Sequence, residues 1–211
     1  MTHPCKRTLN SIEIDGVAIR TWFHSPYFQP EEGSDQMYVC QFCFAYFQKK
    51  KDFERHALGC CVPPKGFEIY RDQRLSVYEL SAENYKLSCQ CITLFSKLFS
   101  ELGSQFYVVD GLVIYTLYQY DSPNLHFIGA FSRTPQDHFV FKTFFVLPNW
   151  QNKGYEQFLF KVAHEISHRE GNDGTPPEMP PDLAKAYQHF ALKTVASIIY
   201  EQDVVDVNDI A

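Results

Sequence analysis

Apolar positions along this chain alternate, run together, or recur at helical spacing, and each pattern predicts an element. Ile12-Glu13-Ile14 and Val17-Ala18-Ile19 alternate on either side of Asp15-Gly16, so Ile12 to Tyr27 opens with two short strands around a tight turn, with Trp22 expected as the anchor. Leu75 to Leu80 reads as a short strand. Glu83 to Leu102 reads as a helix whose buried face is Leu87, Cys91, Leu94, Phe95, Leu98 and Phe99. Three further strands, Phe106–Val109, Leu112–Tyr118 and Leu125–Phe131, are separated by turns at Asp110-Gly111 and Asp121-Ser122-Pro123-Asn124. From His138 to Leu147 the chain is apolar, aromatic and β-branched without Gly or Pro, which predicts a buried strand that Pro148 ends. Helical spacing then returns. Phe158, Leu159, Val162, Ala163 and Ile166 mark a helix from Tyr155 to His168, with Lys161, His164, Glu165 and His168 on its outer face. A last helix, Asp182 to Gln202, is expected to bury Leu183, Tyr187, Phe190, Val195, Ile198 and Ile199.

Two places in this pattern carry chemistry. The first is Cys40-x2-Cys43-x12-His56-x3-Cys60, four soft donors at a spacing that closes a tetrahedral zinc site. Phe44, Tyr46, Phe47 and Phe53 lie between the ligands as an expected small core, and the adjacent Cys61 is an alternative to Cys60. The second is the junction between the buried strand and the Tyr155 helix. Its loop, Gln151-Asn152-Lys153-Gly154-Tyr155-Glu156, stands at a helix N-terminus, where unsatisfied backbone N–H groups and the helix dipole favour an anion such as a pyrophosphate.

Composition narrows the class. With 211 residues, 45% hydrophobic and 16% aromatic, the chain can bury one good core or two small ones. The start of the chain lacks the apolar stretch of a signal peptide and no run approaches the ~20 apolar residues of a membrane span, so an intracellular location is expected. Seven cysteines are then better explained by metal binding and burial than by disulfides. A net charge of −6 argues against nucleic-acid binding over the whole surface and suits a cationic partner. Lys49-Lys50-Lys51 could touch nucleic acid, but a charge run is more often a solvated face, and a recognition helix should offer several base-reading side chains, so direct DNA reading is disfavoured.

Several motifs together resemble one family. Leu147-Pro148, Gln151 and Lys153-Gly154-Tyr155 resemble the acetyl-coenzyme A motif of the MYST lysine acetyltransferases, whose usual form is close to L-T-L-P-x-Y-Q-R-x-G-Y-G-K-x-L-I. Thr21 to Tyr27 (T-W-F-H-S-P-Y), Pro63 to Arg71 (P-P-K-G-F-E-I-Y-R) and Leu87 to Phe99 (L-S-C-Q-C-I-T-L-F-S-K-L-F) are similar to further segments of that family, as is the Cys-Cys-His-Cys finger. The resemblance implies an α+β fold with a GNAT-like acetyl-CoA-binding core, a zinc-finger lobe before it and a shortened helical region after it. The expected segments are 1–82 for the lobe, with the finger at 40–60, 83–180 for the core and 181–211 for the helical end.

The resemblance also implies a chemistry, namely transfer of an acetyl group from acetyl-CoA to a lysine of a histone tail or another protein, in the nucleus and within chromatin-associated complexes. The cofactor would lie along Phe145 to Gln157, touching Phe145, Leu147, Gln151, Asn152, Lys153, Gly154, Tyr155, Glu156 and Gln157. The family's base corresponds to Glu178 if the loop carries one extra residue, and to Pro177 if it does not. Four departures stand against this: Asn152 where the family has arginine, Glu156 where it has a second glycine, Thr143 where it has a cysteine, and Gly103 where it has a self-acetylated lysine. A degenerate acetyltransferase kept as a binding module is therefore the competing expectation.

Overall fold

The computed structural model describes residues 9–27, 35–60, 64–100, 108–134, 141–171 and 181–201, without the side chains of 181, 182 and 198–201. Two sheets and four helices are built from them, a mixed α+β arrangement as the resemblance implies. Glu178, Cys61, Gly103 and most of the β-branched run before Phe141 lie outside the described residues.

The N-terminal sheet has four strands in the order β2-β1-β3-β4: β1 (Ser11–Ile14), β2 (Val17–Arg20), β3 (Gln36–Val39) and β4 (Tyr46–Phe47). The expected hairpin is present, with Asp15 at φ 53 and Gly16 at φ 72 forming the left-handed turn that joins β1 to β2. Its anchor differs from expectation. Trp22 is 44% exposed, because the chain leaves β2 along the end of the core helix, where Trp22 N–H donates to Leu98 O at 2.9 Å; Ile12, Ile14 and Ile19 are the buried residues. Helix α1 (Lys50–Gly59) follows β4 and buries none of its residues.

The second sheet is a five-stranded antiparallel ladder in chain order: β5 (Phe67–Arg71), β6 (Leu75–Ser81), β7 (Val113–Asp121), β8 (Asn124–Arg133) and β9 (Thr143–Val146). β6 lies before residue 82 and pairs along its whole length with β7, so the lobe and core segments share one sheet. The strand expected at Phe106–Val109 is not a strand where it is described; Val109 instead closes a turn with Leu112 N–H at 2.9 Å. β5, an edge strand exposed along all five residues, was not anticipated from periodicity.

Helix α2 (Ala82–Ser96), capped by the Ser81 hydroxyl accepting from Glu83 N–H, packs on one face of this sheet. Phe95, Leu98 and Phe99 are buried as expected, with Cys91 and Leu94 half-buried against the core, while Leu87 is 73% exposed and Ser88, Cys89 and Ile92 are buried as well. A break at Tyr85 (φ −130, ψ 41) interrupts the helix in its first turn. Helices α3 (Tyr155–Arg169) and α4 (Pro181–Glu201) cover the opposite face, where Phe144, Phe160, Tyr187 and Phe190 stack on one another.

Of the small core expected in the finger, Phe47 and Phe53 do meet, with ring centres 6.1 Å apart, but the other two rings do not join them. Phe44, 1% exposed, leaves the finger at φ 61 and packs against Phe95 of α2 and Phe127 of β8, while Tyr46 is exposed. The hydrophobic interior of the N-terminal sheet and of the α2 face is therefore continuous. Among the described residues no helix is long and apolar enough to cross a membrane.

Candidate metal centre and cofactor cradle

The metal ligands come from three local structures. Cys40 ends β3 and begins a knuckle in which Cys40 N–H donates to Ala45 O and Phe44 N–H to Cys40 O, both at 2.9 Å, and this turn brings Cys43 back beside Cys40. His56 comes from α1 with its ring 4.8 Å from that of Phe47, and Cys60 is the residue that ends the helix. The donor atoms of Cys40, Cys43, His56 and Cys60 all lie within 4.8 Å of one another, with Cys40 Sγ 3.5 Å from Cys60 Sγ and Cys43 Sγ 3.4 Å from His56 Nε2. Tetrahedral zinc, with bonds of ~2.3 Å to sulfur and ~2.0 Å to nitrogen, holds its ligand atoms at about these separations. Three thiols and one imidazole are also the donors zinc prefers, so the residues fit the ion. Cys60 completes this group of four among the described residues, and Cys61 lies outside them.

The cluster is already polarised. A hydrogen bond from the Cys43 thiol, helped by backbone N–H groups of Cys43 and Phe42, lowers the Cys40 thiol to about 4 despite its burial. Cys43 is pushed upward by the same bond, since its proton is the one shared. Zinc would replace that proton and take all three sulfurs as thiolates.

The cradle forms where β9 gives way to α3. Leu147 N–H donates to Ile128 O at 2.9 Å, the last rung to β8, and Pro148–Trp150 then makes a single 3-10 turn closed by Trp150 N–H on Leu147 O at 2.8 Å. Pro148 thus ends the strand as expected. Asn152 (φ 60) and Gly154 (φ 87) both adopt left-handed backbone, reversing the chain so that α3 starts with no side chain capping it. Only glycine takes that conformation without cost, although asparagine tolerates it better than most residues. The N–H groups of the first turn of α3 consequently face outward with no intrahelical acceptor.

The expected cofactor residues divide into two groups here. Phe145 and Leu147 are buried in the core on the α2 face, so only their backbone can meet a ligand. Asn152, Lys153 and Gly154 are exposed on the loop, and Gln151, Tyr155, Glu156 and Gln157 are half-buried around it. Gln151 Nε2 donates to Val146 O at 3.1 Å, and the Tyr155 hydroxyl donates to Gln119 Oε1 at 2.9 Å. Lys153 Nζ lies 4.5 Å from the centre of the Trp150 ring, a cation–π contact that places a positive charge on the loop. A second cation, Arg74, lies near enough to oppose the upward pull of burial on the Tyr155 hydroxyl. Glu156 has the opposite character: burial raises its carboxyl, and among the described residues no hydrogen bond or cation offsets it. Thr143, 1% exposed, is inside the sheet opposite Ser132.

Sequence reading missed the residues that hold this junction in place. β8 carries an extra residue relative to β7, because Leu117 faces Gly129 while Tyr118 faces Phe127, leaving Ile128 as a bulge beside Leu147. Gly129 is required next to it: a Cβ there would stand 2.4 Å from Phe145 O and 2.9 Å from Val146 Cα. A lone glycine inside an apolar strand was the available signal.

Comparison with known proteins agrees with this architecture. The MYST family zinc finger domain matches residues 6–60, and the MOZ/SAS family profile matches residues 63–211. The histone acetyltransferase esa1 of Aspergillus fumigatus is 31% identical over 211 residues, covering 97% of this chain and 44% of the relative. The histone acetyltransferase mst1 of Schizosaccharomyces pombe is 32% identical over 199 residues, covering 92% of this chain and 42% of the relative. Human histone acetyltransferase KAT6A is 30% identical over 204 residues, covering 95% of this chain and 10% of the relative. The chain spans less than half the length of these curated relatives. A zinc-ligand cluster of the right donors, a strand-turn-helix junction in the right place and a profile match over residues 63–211 lead to one conclusion: this chain belongs to the MOZ/SAS family of MYST proteins.

Proposed function

We propose that the chain is the zinc-finger and acetyl-CoA-binding part of a nuclear protein lysine N-acetyltransferase acting on histone tails. The observation that carries this reading is the junction itself: an edge strand, a 3-10 turn and two left-handed residues that leave the first-turn N–H groups of α3 open beside Lys153. That backbone suits a pyrophosphate, and β9, as the sheet's edge, offers main-chain groups to an extended pantetheine arm. When bound, acetyl-CoA supplies an acetyl group activated as a thioester. This chain's part is to hold the phosphates at 151–157, to align the arm along Phe145 to Leu147 and to take the proton from the substrate lysine. We assign that last role to Glu178, since a lysine must lose a proton before its nitrogen can attack and the family's base falls at this position when the loop has one extra residue. The buried hydroxyl of Thr143 is a poor nucleophile without an activating base, so transfer is direct rather than through an acylated enzyme.

Glu156 supports a second reading. A half-buried carboxylate that no described residue neutralises, at the second residue of the helix meant to receive a diphosphate, repels the ligand at close range. In that reading the fold is kept as an interaction module of a chromatin complex and binds no cofactor. Calorimetric titration with acetyl-CoA, followed by transfer assays on a histone-tail peptide, separates the two: binding with transfer supports the enzyme, and no binding at millimolar cofactor supports the module.

A further inference from the structure

The metal centre and the cradle are joined by a continuous line of hydrogen bonds. Gln41 lies inside the zinc knuckle, between Cys40 and Cys43. Its backbone carbonyl accepts from the Tyr118 hydroxyl at 2.9 Å, its side-chain amide donates to Asp15 Oδ1 at 3.0 Å, and its Oε1 accepts from Phe127 N–H at 2.8 Å. Asp15, in the β1–β2 turn, uses its other oxygen to hold His126 Nδ1 at 2.5 Å. All three contacts on the sheet side therefore fall on one short stretch of β7 and β8.

That stretch is the bulged one. Because Ile128 is extra, the ladder to β7 shifts register beside Phe127, and Gln41 supplies the acceptor for the Phe127 N–H. One residue on, Ile128 O accepts Leu147 N–H at 2.9 Å, and Leu147 O accepts Trp150 N–H at 2.8 Å. The line thus runs from the knuckle through Phe127, Ile128 and Leu147 to Trp150, whose ring carries Lys153. Beside it opens a cavity of about 240 Å³, lined in part by Asp15, His126, Leu147, Asn149 and Trp150, so on that side the turn has room to move, while Leu147 is packed in the core on the other.

We propose that Gln41 is a positioning residue through which the metal centre sets the geometry of the 147–150 turn and hence of the cradle. Zinc fixes the knuckle, the knuckle aims the Gln41 amide, and the amide fixes the bulge that carries Leu147. Loss of zinc or of the Gln41 side chain releases the turn into the neighbouring cavity. Only the consequence for acetyl-CoA rests on the cofactor reading above; the mechanical link does not.

The test uses zinc-loaded protein. Gln41→Leu should keep one zinc per chain yet speed hydrogen exchange of both the Phe127 and Leu147 amides by ~tenfold or more, as expected when a hydrogen bond that holds them is lost. In a Trp22→Phe background, where Trp150 is the one tryptophan left, its emission should shift in the same variant. Gln41→Glu combined with Asp15→Asn keeps an acceptor for Phe127 N–H and a donor–acceptor contact between positions 41 and 15, and should restore most of the protection, which a general loosening of the knuckle would not predict. Should Gln41→Leu fail to hold zinc, Asp15→Ala loosens the Gln41 amide from outside the knuckle and should speed both amides by a smaller factor. Unchanged exchange at Leu147 in a zinc-loaded variant whose Phe127 amide has loosened would overturn the proposal, as would unchanged exchange at both. Acetyl-CoA titration is read separately: a several-fold weaker affinity in Gln41→Leu extends the link to the ligand, and absence of binding by both proteins counts against the cofactor reading while the amides decide the link.

Discussion

The zinc cluster and the cofactor cradle meet their ligands in opposite ways. At the cluster the side chains do the binding: four donors converge to within 4.8 Å, and the backbone between them serves only to bring them together. At the proposed cradle the backbone would do the binding, through left-handed residues and an uncapped helix start, while two of the side chains around it, Asn152 and Glu156, would contribute little or work against an anion. Side-chain sites are lost by a single substitution. A backbone site survives several substitutions as a shape, and its affinity then depends on the few charges that remain.

The largest effect is expected on the side-chain site. Cys40→Ser or His56→Ala should abolish zinc binding and unfold the N-terminal sheet, because structural zinc in such sites contributes on the order of 10 kcal/mol at neutral pH. Far-UV circular dichroism and metal analysis read this, and a folded lobe with no zinc would remove the distinction between the two sites. Next is Glu178→Gln, which in an active protein should slow acetyl transfer to a histone-tail peptide by about two to four orders of magnitude, with Thr143→Ala close to the parent. Equal activity of the two variants would place the base elsewhere.

Smaller, and aimed at the backbone site, is the double change Asn152→Arg, Glu156→Gly. It removes one negative charge and adds a positive one, so acetyl-CoA affinity should rise in a salt-sensitive way. Saturation at ~100 times the dissociation constant should then stabilise the fold by ~2.7 kcal/mol in a thermal shift measurement. No gain would mean that the cradle's shape, and not its charge, is at fault. The smallest effect is on stability alone. Burial raises the Glu156 carboxyl, so the fold favours its neutral form. Stability from this group is fullest below the ordinary glutamate value of about 4.3 and falls as pH rises to the folded value, above which the penalty is constant. Glu156→Gln should therefore stabilise the protein at pH 7 and have little effect at pH 3. Chemical denaturation at the two pH values checks the sign, and stabilisation at pH 3 only would reverse it.

How far the sequence discloses each site follows from the range of the contacts involved. Cys40, Cys43, His56 and Cys60 lie close in the chain, so spacing was enough to group them. Pro148 and Gly154 act on their own backbone, and the strand-turn-helix junction was visible for that reason. Contacts between distant residues were not. Trp22 was expected inside because it is large and aromatic, yet Ile12, Ile14 and Ile19 bury the hairpin. On α2 the apolar spacing picks out Phe95, Leu98 and Phe99 but wrongly includes Leu87 and passes over Cys89 and Ile92, whose burial depends on the sheet they pack against. Phe44 was assigned to a local core because its ring sits among those of the finger in sequence, whereas its partners are Phe95 and Phe127. Gln41 and His126 had no signature at all, and Asp15 was legible only as a turn residue: their joint role exists only once the β1–β2 turn, the knuckle and β8 are side by side.

Phe44 also bears on the order in which the molecule can be made. On the ribosome the knuckle emerges complete, with all four ligands, well before the strands and helix that receive this ring. Metal can therefore be captured early, but the captured finger presents a large apolar side chain that stays in water until α2 and β8 have been synthesised. The slow step in folding should accordingly be the docking of a preformed metal-bound knuckle onto a late-formed sheet, with a rate that depends on how quickly β7 and β8 pair.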